Sequence, residues 1–266
     1  EFNGGLQTDG SVFRPSTGVW YVRNSQSGNV AITGFGLSGD VPVAKDYDGD
    51  NIADIAVFRP SNGVWYILRS SDSTFGALAF GQVGDVPAAG DYEGDGKADF
   101  TLFRPSTGVW YQLRSSDLGF LSFYFGINGD IPTPGDFDGD GRYDFGVFRP
   151  SNGTWYRLNS TNPTFTVFLP FGQNGDIPSQ GDFDGDGIND LAVFRPSTGL
   201  WYISRSLFGG AVQITNWGLS GDIPVVGDYD GDGRDDIAVF RPSTGIWYAL
   251  RSSNATMFAS QFVLAE

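Results

Sequence analysis

The sequence contains no cysteine and no histidine. Without cysteine the chain has no disulfide framework, iron–sulfur cluster or thiol nucleophile. Without histidine it has no Ser-His-Asp triad, no imidazole base and no histidine-bound zinc or haem. Basic side chains are also scarce, with 16 against 31 acidic ones and a net charge of −15. We therefore expect no nucleic-acid partner, because a protein that follows phosphates needs a basic face.

Long apolar runs are missing as well. No window approaches the ~18 apolar residues of a membrane span, and no basic segment followed by an apolar one opens the sequence. We therefore expect no membrane span and interpret the chain as a mature soluble fragment. Glycine, in contrast, accounts for 39 of the 266 residues, about twice its ordinary share. Such a composition favours many short strands and tight turns over helices.

The most prominent positive feature is a repeat. Phe-Arg-Pro-Ser occurs six times at intervals of 45 or 46 residues, beginning at Phe13, Phe58, Phe103, Phe148, Phe194 and Phe240. Each copy is followed by a Trp-Tyr pair, and five copies then lead to Gly-Asp-Val/Ile-Pro, with the aspartates at Asp40, Asp85, Asp130, Asp176 and Asp222. Self-similarity at this period indicates a solenoid, a propeller or an array of repeated units.

Strands within one repeat can be predicted from alternation and turn residues. In the second repeat we expect strands at Asp54–Arg59, Val64–Arg69, Phe75–Phe80 and Val86–Gly90, with a turn at Pro60-Ser61-Asn62-Gly63. Four short antiparallel strands in about 45 residues are typical of a propeller blade. The sequence therefore predicts an all-β, six-bladed β-propeller forming one domain. Its repeats are 1–45, 46–90, 91–135, 136–181, 182–227 and 228–266.

The ends of the chain leave closure of the propeller open. The sequence has six copies of three strands but only five of the Val/Ile-Pro strand. Either one blade has three strands, or a terminal segment fills the gap, or the fragment comes from a longer protein. Glu1-Phe2 is also interpretable as a cloning remnant.

The strongest chemical signal is a nonapeptide, Asp-x-Asp/Glu-Gly-Asp-x-x-x-Asp, which occurs five times. We refer to its positions by number, one to nine. Carboxylates at positions one, three, five and nine can surround one point, and hard oxygen ligands are what Ca²⁺ prefers. The acidic turns would repel strongly without a cation or protonation. The predicted side-chain ligands are Asp46, Asp48, Asp50, Asp54, Asp91, Glu93, Asp95, Asp99, Asp136, Asp138, Asp140, Asp144, Asp182, Asp184, Asp186, Asp190, Asp228, Asp230, Asp232 and Asp236.

Position seven of each loop can add a backbone carbonyl, which predicts further ligands at Ile52, Lys97, Arg142, Ile188 and Arg234. We therefore expect about five Ca²⁺ ions with a mainly structural role. The alternative is an ion with an open position that bridges a sugar hydroxyl or a partner carboxylate. The first repeat has Glu1, Asn3, Gly5 and Asp9 at the corresponding positions, too few charges to predict a sixth site, and the sequence leaves the occupancy of such a degenerate site open.

The acidic loop and the strand after it resemble the FG-GAP/VCBS-type repeats of bacterial secreted propellers. The residues that carry this resemblance are Gly-Asp-Tyr-Asp-Gly-Asp-Gly and, shortly after, Asp-Ile-Ala-Val-Phe-Arg-Pro. They resemble the blades of integrin α-chain propellers more distantly. The resemblance implies that each loop joins the first two strands of a blade and holds a structural Ca²⁺. It also implies a secreted or cell-surface protein of bacterial type that binds glycans or surface partners. The Arg-Pro-Ser-Thr/Asn-Gly-x-Trp-Tyr hairpin departs from the integrin version, so integrin ligand recognition is not carried over.

Two other repeated features have a structural and a functional interpretation. Most of the Trp and Tyr rings are expected in the core rather than in sugar-stacking platforms, because aromatic side chains dominate buried area. The repeated arginine before the turn proline is expected to pair with the Gly-Asp-Val/Ile-Pro aspartate, and the alternative is a ligand-binding arginine ring. These arginines are Arg14, Arg59, Arg104, Arg149, Arg195 and Arg241.

Near-identical repeats favour a binding or adhesion module over an enzyme, because equal grooves add by avidity. Six residues break the repeat, namely Lys45, Lys97, Tyr143, Arg157, Pro170 and Trp217. They are scattered among the repeats and do not suggest an acid–base pair. The alternatives are a catalytic propeller, either a polysaccharide lyase or a hydrolase, and a structural scaffold within a larger surface protein. The sequence names neither the ligand nor the oligomeric state.

Overall fold

The computed structural model describes residues 2–162 and 166–261. In this part of the chain all regular elements are β-strands and no helix is present, so no helix there could cross a membrane. Contacts divide the chain into two compact units. Unit 1 comprises Glu1–Gly5 and Asp9–Pro134, and unit 2 comprises Leu6–Thr8 and Gly135–Glu266.

The first three sheets contain the strands β1 to β11, and neighbouring strands are antiparallel. Sheet 1 has three strands and sheets 2 and 3 have four each. Sheet 1 consists of β1 (Gly10–Arg14), β2 (Val19–Arg23) and β3 (Val30–Gly34). Sheet 2 consists of β4 (Val41–Pro42), β5 (Ile55–Arg59), β6 (Val64–Leu68) and β7 (Phe75–Ala79). Sheet 3 consists of β8 (Val86–Pro87), β9 (Phe100–Arg104), β10 (Val109–Leu113) and β11 (Phe120–Tyr124).

The last three sheets have four strands each, again in chain order. Sheet 4 consists of β12 (Ile131–Pro132), β13 (Phe145–Arg149), β14 (Thr154–Leu158) and β15 (Thr166–Pro170). Sheet 5 consists of β16 (Ile177–Pro178), β17 (Leu191–Arg195), β18 (Leu200–Arg205) and β19 (Ala211–Asn216). Sheet 6 consists of β20 (Ile223–Pro224), β21 (Ile237–Arg241), β22 (Ile246–Leu250) and β23 (Met257–Gln261).

These six sheets are the blades of a six-bladed β-propeller, so the predicted fold class is confirmed. One detail of the prediction is wrong. The strand expected at Val86–Gly90 is only Val86–Pro87, and it pairs with β9 of the following repeat rather than with its own. Each four-stranded blade therefore begins before its acidic loop. The assignment of residues 1–266 to a single domain stays a prediction.

The shortage of one Val/Ile-Pro strand falls on the first blade. Sheet 1 has three strands among the described residues, which is one of the arrangements expected from the sequence. A strand contributed by the end of the chain was the alternative, and residues 262–266 lie outside the described part. The N-terminal residues Gln7 and Thr8 group with unit 2 instead.

The hairpin between the second and third strands of sheet 2 shows why the repeat keeps its turn residues. The Gly63 N–H donates to the Arg59 carbonyl at 2.9 Å, and the Phe80 N–H donates to the Gly63 carbonyl at 2.9 Å. Gly63 has φ of 66°, and a Cβ added there would lie 2.2 Å from the Gly81 carbonyl oxygen. Only glycine satisfies both the left-handed conformation and this close approach.

The core of each unit lies between neighbouring blades. In unit 1, Phe58 and Trp65 of sheet 2 pack with Leu102 of sheet 3. In unit 2, one cluster joins sheets 4 and 5, and another joins Trp201 of sheet 5 to Val239 of sheet 6. Both faces of an inner strand are thus covered, which explains its continuous burial. The blade packing holds the acidic loops at one end of the strands.

Candidate functional site

Each acidic loop wraps around its first aspartate. In the loop of sheet 2, Asp46 accepts the N–H of Gly49 at 2.6 Å and that of Asn51 at 2.7 Å. Asp50 accepts the N–H of Ile52 at 2.8 Å. Asn51 replaces the usual glycine at position six and adopts φ of 65°, which asparagine tolerates better than most residues. These bonds turn the loop tightly enough to bring positions one, three and five together.

The aspartate at position nine lies at the base of the loop and is fully buried in sheet 2. Asp54 accepts the N–H of Tyr47 at 2.9 Å with one oxygen and that of Ser70 at 2.7 Å with the other. It therefore ties the start of the loop to the turn after the third strand of the same sheet. The same two bonds recur at the other four position-nine residues, Asp99, Asp144, Asp190 and Asp236. Burial raises the pKa of all five carboxyls above their usual value.

The aspartate at position three has one oxygen satisfied and the other not. In Asp48 the Oδ2 atom accepts the Ser71 hydroxyl at 2.6 Å, whereas its Oδ1 atom is buried without a hydrogen-bond partner. The same Oδ1 atom is orphaned in three further loops, at Asp138, Asp184 and Asp230. A buried carboxylate oxygen without a donor is costly unless a cation compensates it. Four repetitions of the same orphaned atom make a chance arrangement a poor explanation.

Carboxylate oxygens converge in these same four loops. Three acids in each offer oxygens that lie within 4.8 Å of one another. Ligands that surround Ca²⁺ at about 2.3–2.6 Å are separated by at most about 5 Å. The groups are Asp46, Asp48 and Asp50, then Asp136, Asp138 and Asp144, then Asp182, Asp184 and Asp190, and finally Asp228, Asp230 and Asp236. Spacing and the all-oxygen donor set therefore fit a hard divalent cation.

The predicted carbonyl ligands are consistent with this arrangement in the loop of sheet 2. The Ile52 carbonyl lies 3.4 Å from the Ser70 hydroxyl oxygen, which also contacts Asp50 and Asp54. One hydroxyl has a single proton to donate, so it cannot satisfy all these oxygens at once. The Ile52 carbonyl and the carboxylates of Asp50 and Asp54 thus face a common region in which oxygens outnumber this one hydroxyl proton.

The loop at residues 91–99 differs from the other four. Glu93, at position three, accepts the Ser116 hydroxyl at 2.8 Å, and its other carboxylate oxygen lies 3.6 Å from Arg114. Within the described ranges, its acids are not among the groups of three converging carboxylates. Asp91 still accepts three loop N–H groups, and Asp95 still accepts that of Lys97. The longer side chain explains the difference, and a fifth ion at this loop stays a prediction.

In the first repeat, hydrogen bonds from neighbouring groups satisfy the aspartate at the base of the loop. Asp9 takes the place of the position-nine aspartate and accepts the Ser25 N–H at 2.7 Å. Asn3, at position three, donates its amide to Asp9 at 2.6 Å, and the Phe2 N–H donates to the other oxygen at 2.9 Å. An amide donor thus stands where the other loops have an acid. Whether the first repeat holds an ion stays open.

The loops are also hydrogen-bonded to each other, which the sequence analysis missed. Within unit 1 the Ala98 N–H, at position eight, donates to the carbonyl of Asp46 in the preceding loop at 2.7 Å. Within unit 2 the same bond joins Asn189 to Asp136 and Asp235 to Asp182, and Thr8 donates in this way to Asp228. The only sequence signal was the increasingly polar residue at position eight in the later repeats.

The repeated arginine has the partner that was expected. Arg59 donates to both oxygens of Asp40 at 2.7 and 2.8 Å, and its guanidinium lies 4.3 Å from the centre of the Tyr66 ring. The same fork joins Arg104 to Asp85, Arg195 to Asp176 and Arg241 to Asp222. The prediction of an arginine–aspartate clamp is therefore confirmed in these four blades. Because these guanidinium groups already donate to aspartates of the protein, the structure does not favour the alternative of a ligand-binding arginine ring.

The aromatic pairs are divided between core and surface. Trp65, Trp110, Trp155 and Trp201 are at most 2% exposed, so the expectation of core tryptophans is confirmed there. Their indole N–H groups donate to backbone carbonyls, as Trp65 does to Phe80 at 2.8 Å. The paired tyrosines are half-buried, and the repeated arginines lie over their rings. The exposed aromatic side chains lie on the outer strands instead, including Phe75, Phe120, Tyr124 and Phe168.

Comparison with known proteins agrees with the repeats and the fold. The family model described as FG-GAP-like repeat matches residues 136–193 and 182–239, which confirms the resemblance predicted from the motifs. No curated protein shows significant sequence similarity to the chain.

Several solved structures share the fold at low sequence identity. A lectin of Agrocybe aegerita that recognises non-reducing terminal N-acetylglucosamine is 18% identical with a TM-score of 0.64, covering 98% of this chain and 79% of its own. Virginiamycin B lyase of Staphylococcus aureus is 7% identical with a TM-score of 0.61, covering 97% and 82%. BBS1N in complex with ARL6DN is 11% identical with a TM-score of 0.58, covering 97% and 78%. At these identities the likeness establishes the fold alone.

Proposed function

We propose that the chain is a calcium-stabilised, secreted β-propeller of bacterial type that acts as a binding or adhesion module for glycans or surface partners. The observation that carries the calcium part is the orphaned Oδ1 atom at position three of four loops, which are those of Asp48, Asp138, Asp184 and Asp230. A bound Ca²⁺ would compensate these oxygens and the raised carboxyl pKa values around them. Its role is structural, since the loops link strands within a blade and blades to each other.

Support for a binding role comes from the exposed aromatic side chains of the outer strands. Phe75 is 62% exposed, Phe120 62% and Phe168 66%. They lie on the fourth strand of three successive blades, sheets 2, 3 and 4, with Phe75 and Phe120 at the same position and Phe168 two residues further along its strand. Large apolar side chains that recur on a surface are typical of interaction sites, and repeated weak contacts add by avidity. The lectin with the same fold is a precedent for glycan binding on such a scaffold, not evidence for it here.

The catalytic alternative is supported less well by the residues that break the repeat. Arg157 donates to the Phe137 carbonyl at 3.0 Å, lies over the Phe137 ring and is half-buried in sheet 4. Burial lowers its pKa, but its contacts are those of a packing residue. The Lys97 side chain packs over Gly49 of the preceding loop. The charged groups near Arg157 are Asp138 and Asp144, and both are predicted calcium ligands rather than acid–base partners.

The calcium proposal is tested with the metal alone. Titration of the chelator-treated protein with Ca²⁺ in a calorimeter should give four or five sites per chain, and the melting temperature should rise with Ca²⁺. Asp184→Asn should remove one site. Asp72→Asn is the matched control, because Asp72 is an exposed turn residue that accepts the Thr74 N–H. An unchanged melting curve after chelation, or equal site counts for both variants, would contradict the proposal.

The glycan part needs a separate experiment. A glycan array probed with the calcium-loaded protein should give binding with several equivalents per chain. Phe120→Ser, on the exposed side of β11, should weaken that binding without lowering the number of calcium sites. Depolymerisation of a polysaccharide in place of retention would favour the catalytic alternative, and absence of both would favour the scaffold.

A further inference from the structure

A cleft in unit 2 lies between sheets 5 and 6, near the acidic-loop end of their strands. Its volume is about 130 Å³, and because one water takes up about 30 Å³ of liquid, it accommodates only a compact group. Its floor is apolar and includes Phe183, Ile203 and Ile237. Three cationic side chains line it as well, those of Arg205, Arg234 and Arg251. We call this site the arginine cleft.

Three arginines in one cleft are unusual in a chain with a net charge of −15. Two of them have unused donors. The Nε atoms of Arg205 and Arg251 are buried without a hydrogen-bond partner. A buried donor without an acceptor costs free energy comparable to that of a lost hydrogen bond. An acceptor supplied from outside would remove this cost.

The remaining contacts of these arginines leave room for such an acceptor. The Arg205 Nη2 atom donates to the amide oxygen of Gln213, a neutral group. The Arg251 guanidinium lies 5.4 Å from the centre of the Phe258 ring. Arg234 pairs with Asp232 at 2.7 Å, and Asp235, which also lines the cleft, accepts the Asp182 N–H at 2.9 Å. The acidic groups near the cleft are thus engaged with other donors.

The corresponding cations of sheets 2 and 3 differ in this respect. Arg114 occupies the position of Arg251 in its repeat, and it pairs with Asp117 at 2.7 Å and lies 3.6 Å from Glu93. Arg69 occupies the position of Arg205, and it donates to the Thr74 hydroxyl at 3.1 Å. In unit 1, carboxylates of the protein itself thus pair with Arg114 and a hydroxyl accepts from Arg69, whereas the Nε atoms of Arg205 and Arg251 in unit 2 have no partner. Sheet 6 has Asn254 where sheet 3 has Asp117.

From this geometry we infer that the arginine cleft binds a compact organic carboxylate, whose oxygens face Arg205 and Arg251 and whose less polar body covers the apolar floor. Guanidinium groups match carboxylate geometry, and ligand sites commonly combine an apolar lining with a few polar groups that fix orientation. An acidic sugar would be the occupant if the proposed glycan-binding function is right. A carboxylate that is not a sugar would fit the same chemistry without it.

The test uses the calcium-loaded full chain and four probes: D-glucuronate, D-glucose, cyclohexanecarboxylate and sulfate. Calorimetry should give saturable one-site binding for at least one of the two carboxylates. Glucose should not bind detectably, and sulfate should bind at least tenfold more weakly because it cannot cover the floor. Binding of cyclohexanecarboxylate alone would support the cleft and contradict the acidic-sugar occupant. Binding of neither carboxylate, or equal binding of sulfate or glucose, would overturn the inference.

Variants locate the site. Arg251→Gln and Arg205→Gln should each weaken carboxylate binding at least tenfold, whereas Arg114→Gln, at the matched position of sheet 3, should leave it unchanged. Equal weakening by Arg114→Gln would show a general charge effect and overturn the assignment. Should a variant fold poorly by its melting curve, the wild-type protein still decides the question. The Nε–Hε resonances of Arg205 and Arg251 should then shift on addition of the carboxylate, and unmoved resonances would contradict the site.

Discussion

Asp235 and Asp182 are joined by two hydrogen bonds that connect the acidic loops of sheets 5 and 6. The Asp235 N–H donates to the Asp182 carbonyl at 2.7 Å, and the Asp182 N–H donates to Asp235 Oδ2 at 2.9 Å. In the preceding pair of loops Asn189 makes the same two contacts with Asp136. Position eight thus has an amide side chain in sheet 5 and a carboxylate in sheet 6, although in both cases the side chain only accepts one backbone N–H.

The carboxylate makes this contact sensitive to pH. Burial, with the nearby charges of Asp182 and Asp228, raises the pKa of Asp235 from 3.8 to about 6. The folded state then binds the proton more tightly than the unfolded state. The contribution of Asp235 to the free energy of unfolding is therefore greatest below about pH 4 and is lost as the pH rises through 6.

Asp235→Asn should therefore stabilise the calcium-free protein at pH 7 by roughly 1–2 kcal/mol, since one pKa unit corresponds to about 1.4 kcal/mol. It should also flatten the pH dependence of the free energy of unfolding between about pH 4 and 7. Urea unfolding in the presence of a chelator measures both. Asn189→Asp is the matched control and should have the opposite sign. A stabilisation that is the same at pH 4 and pH 7 would contradict the titration argument.

Glu93 provides a second prediction, on the number and affinity of the metal sites. Its contact with the Ser116 hydroxyl repeats the Asp48–Ser71 contact, but its second carboxylate oxygen lies 3.6 Å from Arg114. Glu93→Asp should restore the pattern of the other loops and strengthen Ca²⁺ binding at residues 91–99 by about tenfold, because a shorter carboxylate at position three can face the shared centre. Calorimetric titration of both proteins measures the change. Asp117→Asn, which disturbs the same Arg114 cluster without altering the loop, should leave the calcium sites as they are.

Much of the fold and of the candidate site was predictable because the residues that determine each strand, turn and acidic loop lie within a single repeat. Turn residues, alternation and the acidic spacing are local, so six copies of them define strands, hairpins and loops. The features that the sequence did not predict depend on contacts with neighbouring repeats or on packing. The pairing of Val86–Pro87 with the following repeat and the bonds between Asp235 and Asp182 are contacts between different repeats, which local patterns do not specify. The orphaned Oδ1 atom of Asp48 also emerges only from packing.

The arginine–aspartate clamp supports a last prediction. Arg195 donates to both oxygens of Asp176 at 2.8 and 2.9 Å, and the Asp176 side chain is fully buried. The Arg195 guanidinium also lies 4.3 Å from the centre of the Tyr202 ring and donates to the Tyr202 hydroxyl at 2.8 Å. Lysine keeps the charge but supplies neither the paired donors nor a planar group that stacks on the ring.

Arg195→Lys should therefore destabilise the protein by about 1–3 kcal/mol, and Arg195→Met by about 3–5 kcal/mol, because the latter leaves a buried carboxylate without a counter-charge. Adding Asp176→Asn to Arg195→Met should recover part of the loss, since the uncompensated charge is then gone. Arg69→Met is the control, because that side chain donates only to an exposed threonine hydroxyl, and it should cost less than about 1 kcal/mol. Thermal and urea unfolding of calcium-loaded protein would measure the series. Equal losses for Arg195→Lys and Arg69→Met would mean that the fork and the stacking contribute nothing beyond charge.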